Sequence, residues 1–394
     1  MRKYTGLFCV LLAFLLMFSA CSGNVQQEEP TETTAVEETT VPLEPEVFTA
    51  ADMNDIDQTS GKINFDKIDF SKQPHFTNDL GIDAYVRDCL ANRCRNIVFS
   101  CEKSAMIQVN ASDFCEKYML AWCNPKVDAG KEGILYCITV TYYPGDNVAW
   151  AYLNNDCATL TEDELALYDV AVEWLANYIT EDMTDYEKCE VIYNYLSGNV
   201  LYSYDLLNAL NTSYTFDRGI TAYGAMIDNL TICQGYADAF DMLTSMLGME
   251  CIQIFGYGDN EPHNWNMIQL DGNWYHVDCT YGNAFGMADN RCSKAYFFAS
   301  DKQIQKDHRW NRDDVNAAED DSLYYYTYHD LYVTSQEELE AKVGDVVRAG
   351  EQADVYIENF TMPEIKTYVQ DLGAEFHIKQ YKDDIILCAW MPEN

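Results

Sequence analysis

Basic residues are scarce in this chain of 394 residues. It has 25 lysines and arginines against 64 aspartates and glutamates, which gives a formal net charge of −39. Recognition of a nucleic-acid backbone needs clustered cations, so this composition argues against nucleic-acid partners. It equally disfavours unassisted adhesion to anionic lipid. The acidity would instead keep a secreted protein soluble and attract basic or amine-bearing partners.

Several cofactor signatures are also missing. The chain has no C-x-x-C pair and no glycine-rich nucleotide or flavin motif, and its acidic residues are not spaced as a calcium loop. Setting Cys9 and Cys21 aside leaves thirteen of the 15 cysteines, an odd number with irregular spacing. We therefore expect no metal, no cofactor and mostly buried free thiols. In an exported protein, free thiols indicate an anaerobic or reducing habitat.

The N-terminus has the pattern of a targeting segment. Arg2 and Lys3 precede the apolar run Leu7–Phe18, which is too short to span a membrane. We interpret residues 1–20 as a signal peptide.

The end of this segment resembles a bacterial lipoprotein cleavage box, Phe18-Ser19-Ala20-Cys21. The resemblance implies lipid attachment to Cys21; the alternative is an ordinary signal peptide cut near Ala20. Residues 21–57 follow, with EEPTETTAVEETTVPLEPE and no basic residue, and they predict an extended, disordered acidic tether. The expected location is extracytoplasmic, with the lipid as the only contact with the bacterial cell membrane.

The stretch Thr231–Tyr281 carries most of the functional information. After Cys233, apolar residues recur at three- and four-residue steps as far as Gly248, which predicts an amphipathic helix with a glycine stop. Cys233 would then lie at the helix N-terminus, where free N–H groups and the dipole favour a thiolate and a developing oxyanion.

Asp271 and Gly272 predict a tight hairpin between two strand-like runs, His263–Leu270 and Trp274–Thr280. A two-residue turn pairs Leu270 with Asn273 and makes His263 a diagonal neighbour of Asp278 on the same face. A one-residue shift would separate them. Cys233, His263 and Asp278 could therefore meet as nucleophile, base and orienting carboxylate.

A rival assignment uses His276, which lies on the same face as Asp278 but opposite Met267 and nearer the turn. The non-catalytic alternatives are that Cys233 is a buried structural cysteine and that the strand histidine is a hydrogen-bonded core residue.

These residues resemble a known family. The segments CQGYADAF, LGMEC, HNWN and LDGNWYHVDCT are similar to the core of the transglutaminase-like superfamily, and TAYGAMIDN and YFFASDKQIQKDHRW resemble its flanking segments. The resemblance implies a papain-like α+β core, in which the cysteine helix packs on an antiparallel sheet. It also implies Cys233 as nucleophile, His263 as base and Asp278 as the residue that orients the base.

The resemblance also nominates secondary site residues and shows two departures. Tyr223, Gln234 and Trp265 are candidates for an oxyanion or substrate contact, although Tyr223 fits packing equally well. Asn229 stands four residues before the cysteine, where a glycine is usual, and Tyr281 replaces a tryptophan.

The sequence divides into five regions. They are a signal peptide (1–20), a tether (21–57), an N-terminal α/β module (58–150), the catalytic core (151–320) and a C-terminal α/β module (321–394). Capping boxes at Thr161/Glu164 and Thr184/Glu187 predict helices in the core. The segments 199–204 and 206–213 look like a loop.

The two flanking modules share a predicted order of helix, strand, helix and strand. We therefore hypothesise that they are copies of one unit that hold a substrate or partner. Different strand orders would reject this duplication.

The function expected from these features is acyl transfer on amide bonds by a surface-anchored thiol enzyme. Its substrate would be a peptide or protein, with cell-wall peptides among the candidates, and either water or an amine would resolve the acyl-enzyme. The alternative is a non-catalytic surface binding protein on the same scaffold. A solute-binding lipoprotein would need two large βαβ lobes, which the order of elements does not offer.

Overall fold

The computed structural model of the protein describes residues 66, 68–107, 109–118, 120–129, 133–213, 217–283, 292–312, 315–381 and 384–392. The predicted signal peptide, the lipid-attachment residue Cys21 and the tether over 21–57 lie outside these ranges. Within them, no helix combines the length and the hydropathy that crossing a bilayer would need.

The described chain contains both helices and strands, some of them in consecutive runs of one type. The α-helices are α1 (Asp79–Ala91), α2 (Ala111–Tyr118), α3 (Pro144–Asn154), α4 (Glu162–Tyr178), α5 (Asp185–Asn199), α6 (Tyr204–Ser213), α7 (Cys233–Met246), α8 (Cys279–Gly282), α9 (Asp301–Ile304), α10 (Tyr325–Tyr328), α11 (Gln336–Leu339), α12 (Asp345–Arg348) and α13 (Met362–Asp371). The strands are β1 (His75–Phe76), β2 (Asn96–Cys101), β3 (Trp122–Ala129), β4 (Ile134–Thr141), β5 (Leu201–Tyr202), β6 (Leu230–Thr231), β7 (Cys251–Gly258), β8 (Glu261–Leu270), β9 (Asn273–Val277), β10 (His308–Trp310), β11 (Tyr332–Val333), β12 (Ala353–Ile357), β13 (Glu375–Tyr381) and β14 (Asp384–Trp390).

Contacts divide the chain into two compact units. Of the described residues, the first unit comprises 66, 68–107, 109–111, 122–129, 133–140 and 207–213. The second comprises 112–118, 120–121, 141–206, 217–283, 292–312, 315–381 and 384–392. The second unit thus contains residues 141–150 and the C-terminal module together with most of the predicted core. The region boundaries at 150 and 320 remain predictions.

The sheet of the first unit has the strand order β1-β2-β4-β3. β1 runs parallel to β2, and β4 runs antiparallel to it. An aromatic cluster fills its core, where Tyr85 of α1 packs on Phe76 and Phe99, and Phe99 stacks on Tyr136 with ring centroids 4.7 Å apart.

The C-terminal sheet lies in the second unit and has the order β11-β12-β14-β13. β11 is parallel to β12, and β14 is antiparallel to it. Strand order and these directions therefore equal those of the N-terminal sheet. The duplication hypothesis survives the comparison that a different order would have rejected.

The third four-stranded sheet has the order β10-β7-β8-β9, and α7 packs against it. Phe240 and Leu243 of α7 share one apolar core with Ile268 of β8 and Val277 of β9. Twelve of the fourteen residues of α7 are buried, and Cys233 is one of the two exceptions. The helix is therefore held on nearly all sides, while its first residue remains accessible.

Local sequence signals set the ends of several core elements as predicted. Both capping boxes form, at Thr161/Glu164 before α4 and at Thr184/Glu187 before α5. Gly248, with φ of +83°, follows the end of α7. The predicted helix therefore starts at Cys233 and stops at the glycine, as the pattern indicated.

The predicted hairpin register is confirmed. Asp271 and Gly272 both have positive φ, and Leu270 pairs with Asn273. Further along the same register, Met267 pairs with His276 and Asn266 pairs with Val277. His263 and Asp278 consequently share a face.

Two predicted segments have a different structure. Residues 204–213 form helix α6 instead of a loop, and β9 stops at Val277 instead of reaching Thr280. The strand ends there because the Asp278 carboxylate accepts the backbone N–H of Tyr281 and caps the short helix α8.

Candidate active site

Cys233 is the first residue of α7, and Ile232 before it has an extended backbone. Its side chain is a half-buried free thiol. The first N–H groups of a helix have no carbonyl partner within that helix, and the dipole is positive at this end. A negative charge on the sulfur, or on a substrate oxygen beside it, would face these donors.

The Gln234 side chain points inward and fixes the first turn of α7. Its oxygen accepts hydrogen bonds from the Tyr143 hydroxyl (3.2 Å) and from the Asn264 amide, and its amide donates to Gln253 (2.9 Å). Because Asn264 follows His263 in β8, this network ties the thiol-bearing turn to the strand that carries the imidazole.

His263 connects the thiol with a carboxylate. Its Nε2 lies 2.6 Å from Asp278 Oδ2. On its other side, the Cys233 side chain is close enough to raise the pKa of His263. Since Nε2 faces the carboxylate, Nδ1 is the nitrogen left for the thiol. The structure thus brings the three predicted residues together in the order thiol, imidazole, carboxylate.

Asp278 is fully buried and accepts three hydrogen bonds. Its Oδ1 accepts the backbone N–H of Tyr281 at 2.9 Å. Its Oδ2 accepts from Nε2 of His263 and, at 2.9 Å, from Nε2 of His308. The end of a strand and the start of a helix therefore fix the carboxylate, and two imidazoles share one of its oxygens.

The ion pair outweighs the effect of burial on both partners. Burial alone would lower the pKa of His263, but the charge and hydrogen bond of Asp278, helped by Cys233, raise it to about 10. Burial alone would raise the pKa of Asp278, but His263 and His308 hold it well below its usual range. Both groups are therefore charged near neutral pH, and the His263 imidazolium has a proton to donate.

Aromatic rings enclose the imidazole. Trp265 stacks on His263 with centroids 5.9 Å apart, and Tyr281 packs against it at 4.8 Å. β7 gives these rings room because Gly256 has no side chain, and a methyl group there would approach the Trp265 ring to 2.7 Å and overlap the carbonyl oxygen of Arg309. The rings limit the rotation of His263.

A known family model matches the part of the chain that contains the thiol, the imidazole and the carboxylate. Residues 173–279 match the model of the transglutaminase-like superfamily. This segment is a transglutaminase-like domain. It contains Cys233, His263 and Asp278, and the match supports a thiol enzyme in general terms.

Two relatives and one solved structure illustrate the similarity. The kyphoscoliosis peptidase of Homo sapiens is 26% identical over 137 residues, which cover 32% of this chain and 20% of the relative. The kyphoscoliosis peptidase of Mus musculus is 33% identical over 79 residues, which cover 17% of this chain and 12% of that relative. The chain thus spans a fifth or less of these relatives. A crystal structure of a TGase is 14% identical with a TM-score of 0.27, covering 48% of this chain and 52% of that one.

The two departures from the family pattern have structural explanations. Asn229 has φ of +51°, a left-handed conformation that glycine adopts freely and asparagine tolerates better than most residues. Tyr281 occupies the position of the tryptophan and still packs against His263. Neither departure displaces the thiol, the imidazole or the carboxylate of the transglutaminase-like domain.

The rival histidine does not approach the thiol through either ring nitrogen. Nδ1 of His276 accepts the indole N–H of Trp265 at 3.0 Å, and Nε2 lies 2.9 Å from Asp301 Oδ1. Burial lowers the pKa of His276 despite that carboxylate. His276 is therefore a neutral core histidine.

The three secondary candidates take structural positions in the transglutaminase-like domain. Trp265 is 1% exposed and lies behind His263, so the prediction of a substrate contact is wrong for this residue. The Gln234 side chain is committed to the network described above, which leaves its backbone N–H as a possible donor. Tyr223 stacks under Arg218 at 4.3 Å and packs on the helical core, which is the packing alternative.

One group of side chains in the described ranges has metal-ligand character: His263, Asp278 and His308. Their shared contacts of 2.6 and 2.9 Å are hydrogen-bond lengths. Ligands about 2.0–2.1 Å from a tetrahedral zinc would lie roughly 3.3 Å apart. The arrangement therefore fits proton sharing better than metal coordination.

Sequence reasoning missed His308. It lies in β10, which pairs with β7, whereas Asp278 follows β9 at the other side of the sheet. No spacing rule links these positions. The available signal was the segment YFFASDKQIQKDHRW, which resembles the close of the family core and contains this histidine.

Proposed function

We propose that the transglutaminase-like domain catalyses acyl transfer on amide bonds. The Cys233 thiol beside His263, and the hydrogen bond of His263 to the buried Asp278 carboxylate, carry this proposal. This arrangement supports the proposal, because thiol catalysis needs a nucleophile, a proton carrier and an orienting anion in this order.

In the proposed reaction the Cys233 thiol has passed its proton to Nδ1 of His263, and the resulting thiolate attacks the carbonyl carbon of an amide. The developing oxyanion faces the free N–H groups of the first turn of α7. The C–N bond then breaks, the His263 imidazolium gives its proton to the leaving amine, and an acyl thioester remains on Cys233. Asp278 keeps Nδ1 of His263 directed at the sulfur and stabilises the positive ring.

Water or an amine then resolves the thioester, with His263 taking up a proton from it. Water gives a peptidase or amidase, and an amine gives a cross-link. We favour a peptide or protein substrate, with cell-wall peptides among the candidates. The human relative named above is called a peptidase, which favours the hydrolytic outcome.

The alternative function is a surface binding protein that uses the same fold without catalysis. The buried hydrogen bond between His263 and Asp278 argues against this alternative. A scaffold role does not need a buried carboxylate aimed at an imidazole that reaches a thiol, and burying such charges is costly unless they are paired.

We also propose that a lipid on Cys21 anchors the enzyme outside the cell. Cys21→Ala is expected to move the protein from the membrane fraction to the culture medium, because it removes the thiol that would carry the lipid. Cys9→Ala is the matched control and should leave the distribution unchanged. Retention of the Cys21 variant in the membrane fraction would count against the anchor.

Alkylation by iodoacetamide near pH 6, followed by peptide mapping, tests the enzyme proposal directly. Cys233 is expected to react at least about tenfold faster than Cys157, which is also half-buried but has no imidazole partner among its described contacts. The core thiols should react more slowly still, because burial raises the pKa of Cys189, Cys279 and Cys292.

The His263→Ala variant is the control for this experiment. Loss of the imidazole should slow labelling of Cys233 to the rate of Cys157. Equal rates for the two cysteines in the unmodified protein would instead favour the binding-protein alternative.

A further inference from the structure

His308 is held between two carboxylates next to the proposed triad. Its Nε2 lies 2.9 Å from Asp278 Oδ2, and its Nδ1 lies 2.6 Å from Asp307 Oδ1. The residue is 1% exposed. It therefore cannot touch a substrate, and whatever it does for the reaction it does through Asp278.

The geometry favours a proton on each ring nitrogen of His308, because each nitrogen faces a carboxylate oxygen. A neutral imidazole has one N–H and would turn a lone pair toward one of the two carboxylates. Burial opposes the charge, but the hydrogen bonds and charges of Asp278 and Asp307 raise the pKa of His308. The titratable and charged groups around it from the packed elements are His263, His276, Asp278, Tyr281, Tyr296, Asp307 and Lys379.

The Asp307 carboxylate is also held in place, and a residue of the C-terminal module contributes to holding it. The Tyr296 hydroxyl donates to Asp307 Oδ2 at 2.6 Å. Lys379 of β13 lies 3.0 Å from that hydroxyl and 4.9 Å from the centre of the Tyr281 ring. A continuous set of contacts thus runs from Lys379 through Tyr296, Asp307 and His308 to the carboxylate that orients His263.

We infer that His308 is a positioning residue for the proposed reaction: its imidazolium, fixed by Asp307, holds the Asp278 carboxylate in the orientation that directs His263 at Cys233. This inference rests on the proposed function. Without His308, Oδ2 of Asp278 would have His263 as its partner and Oδ1 would keep the backbone N–H of Tyr281. The carboxylate and the imidazole could then turn together about the bond to Tyr281. His308 supplies the second direction that prevents this rotation.

Acylation by 4-nitrophenyl acetate, followed as nitrophenolate release, measures the effect. His308→Ala is expected to lower kcat by about 10- to 100-fold, the size expected for a small misplacement of reacting groups, with KM within about twofold. His308→Gln places an amide N–H near the position of Nε2 and should recover part of the loss. If His308→Ala does not fold, the kcat of His308→Gln is compared with that of the unmodified protein instead.

His276→Gln is the matched control. His276 is an equally buried histidine with a carboxylate partner, Asp301, but it has no hydrogen bond to Asp278. It should lose stability to a similar degree while retaining kcat within about threefold. If His308→Ala and His276→Gln have equal kcat, the positioning role is refuted and only a structural role remains.

Ring-nitrogen NMR with labelled histidine tests the same inference without turnover. In the unmodified protein both nitrogens of His308 should stay protonated through pH 8, whereas His276 should carry one proton. In His308→Ala the Nε2–H of His263 should exchange with water at least about tenfold faster. A neutral His308 at pH 7, or unchanged exchange at His263, would overturn the inference. An unmodified protein that is inert to 4-nitrophenyl acetate and iodoacetamide would count against the proposed function alone.

Discussion

Replacing Cys233 by alanine is expected to abolish acyl transfer, with a loss of at least about 10⁴-fold in the rate of 4-nitrophenyl acetate acylation. In the proposed reaction, the acyl group is bonded to the enzyme only through the sulfur of Cys233. Stability should change by no more than about 1 kcal/mol, because the side chain is half-buried and alanine is a good helix former. Nitrophenolate release and the mass of the protein after incubation measure the acylation.

Cys157→Ala is the control for this substitution, since it removes a half-buried thiol outside the site. It should acylate like the unmodified protein and gain one acetyl group at Cys233. If Cys233→Ala still accepts an acetyl group at the same rate, another residue is the nucleophile and the proposed mechanism is wrong.

Asp278→Asn is expected to have the second-largest effect, a loss of about 10⁴-fold in turnover. Asparagine keeps the shape but offers an N–H₂ group and one oxygen where Asp278 accepts from Tyr281, His263 and His308. If the amide oxygen keeps the backbone bond, the N–H₂ group faces Nε2 of His263. The ring would then favour the tautomer with its proton on Nδ1, which cannot accept a proton from Cys233.

The pKa of His263 provides an independent readout of this variant. Asp278 is the main cause of its rise to about 10, against burial, so loss of the negative charge should lower it toward or below its ordinary value. The imidazolium would then deprotonate within the neutral pH range, and residual thiol labelling should persist. His263 titration by NMR measures the change. A His263 pKa that stays near 10 in Asp278→Asn would show that the carboxylate is not its main partner.

Local patterns in the sequence determined the frame of the site. The helix starts at Cys233 and stops before Gly248, and the Asp271-Gly272 turn sets a register that brings His263 and Asp278 onto one face. These features depend on residues a few positions apart, whose backbone preferences act within one helix end or one turn. These local patterns could therefore predict that imidazole and carboxylate share a face, and the family resemblance added the thiol.

The tertiary structure decided what each side chain does there. Trp265 and the side chain of Gln234 were candidate substrate contacts, yet packing against the glycine at 256 and hydrogen bonds to Tyr143 and Gln253 turn both inward. Only the partners of His276 show that this rival is a neutral core residue.

His308 is the clearest case of long-range control. It reaches Asp278 because β10 lies beside β7. Gly256 and Gly258 of β7 leave room for the Trp265 and Tyr281 rings, which pack against His308. His308 and Asp278 are thirty residues apart in the sequence. His308 lies in β10 at one edge of the sheet, and Asp278 follows β9 at the other edge. Periodicity and turn residues report backbone preferences over short distances, whereas the pairing of distant strands depends on the packing of the whole core. The sequence therefore determined the helix end that carries the thiol and the hairpin that aligns imidazole and carboxylate, and the packing of the folded chain decided how the carboxylate is held.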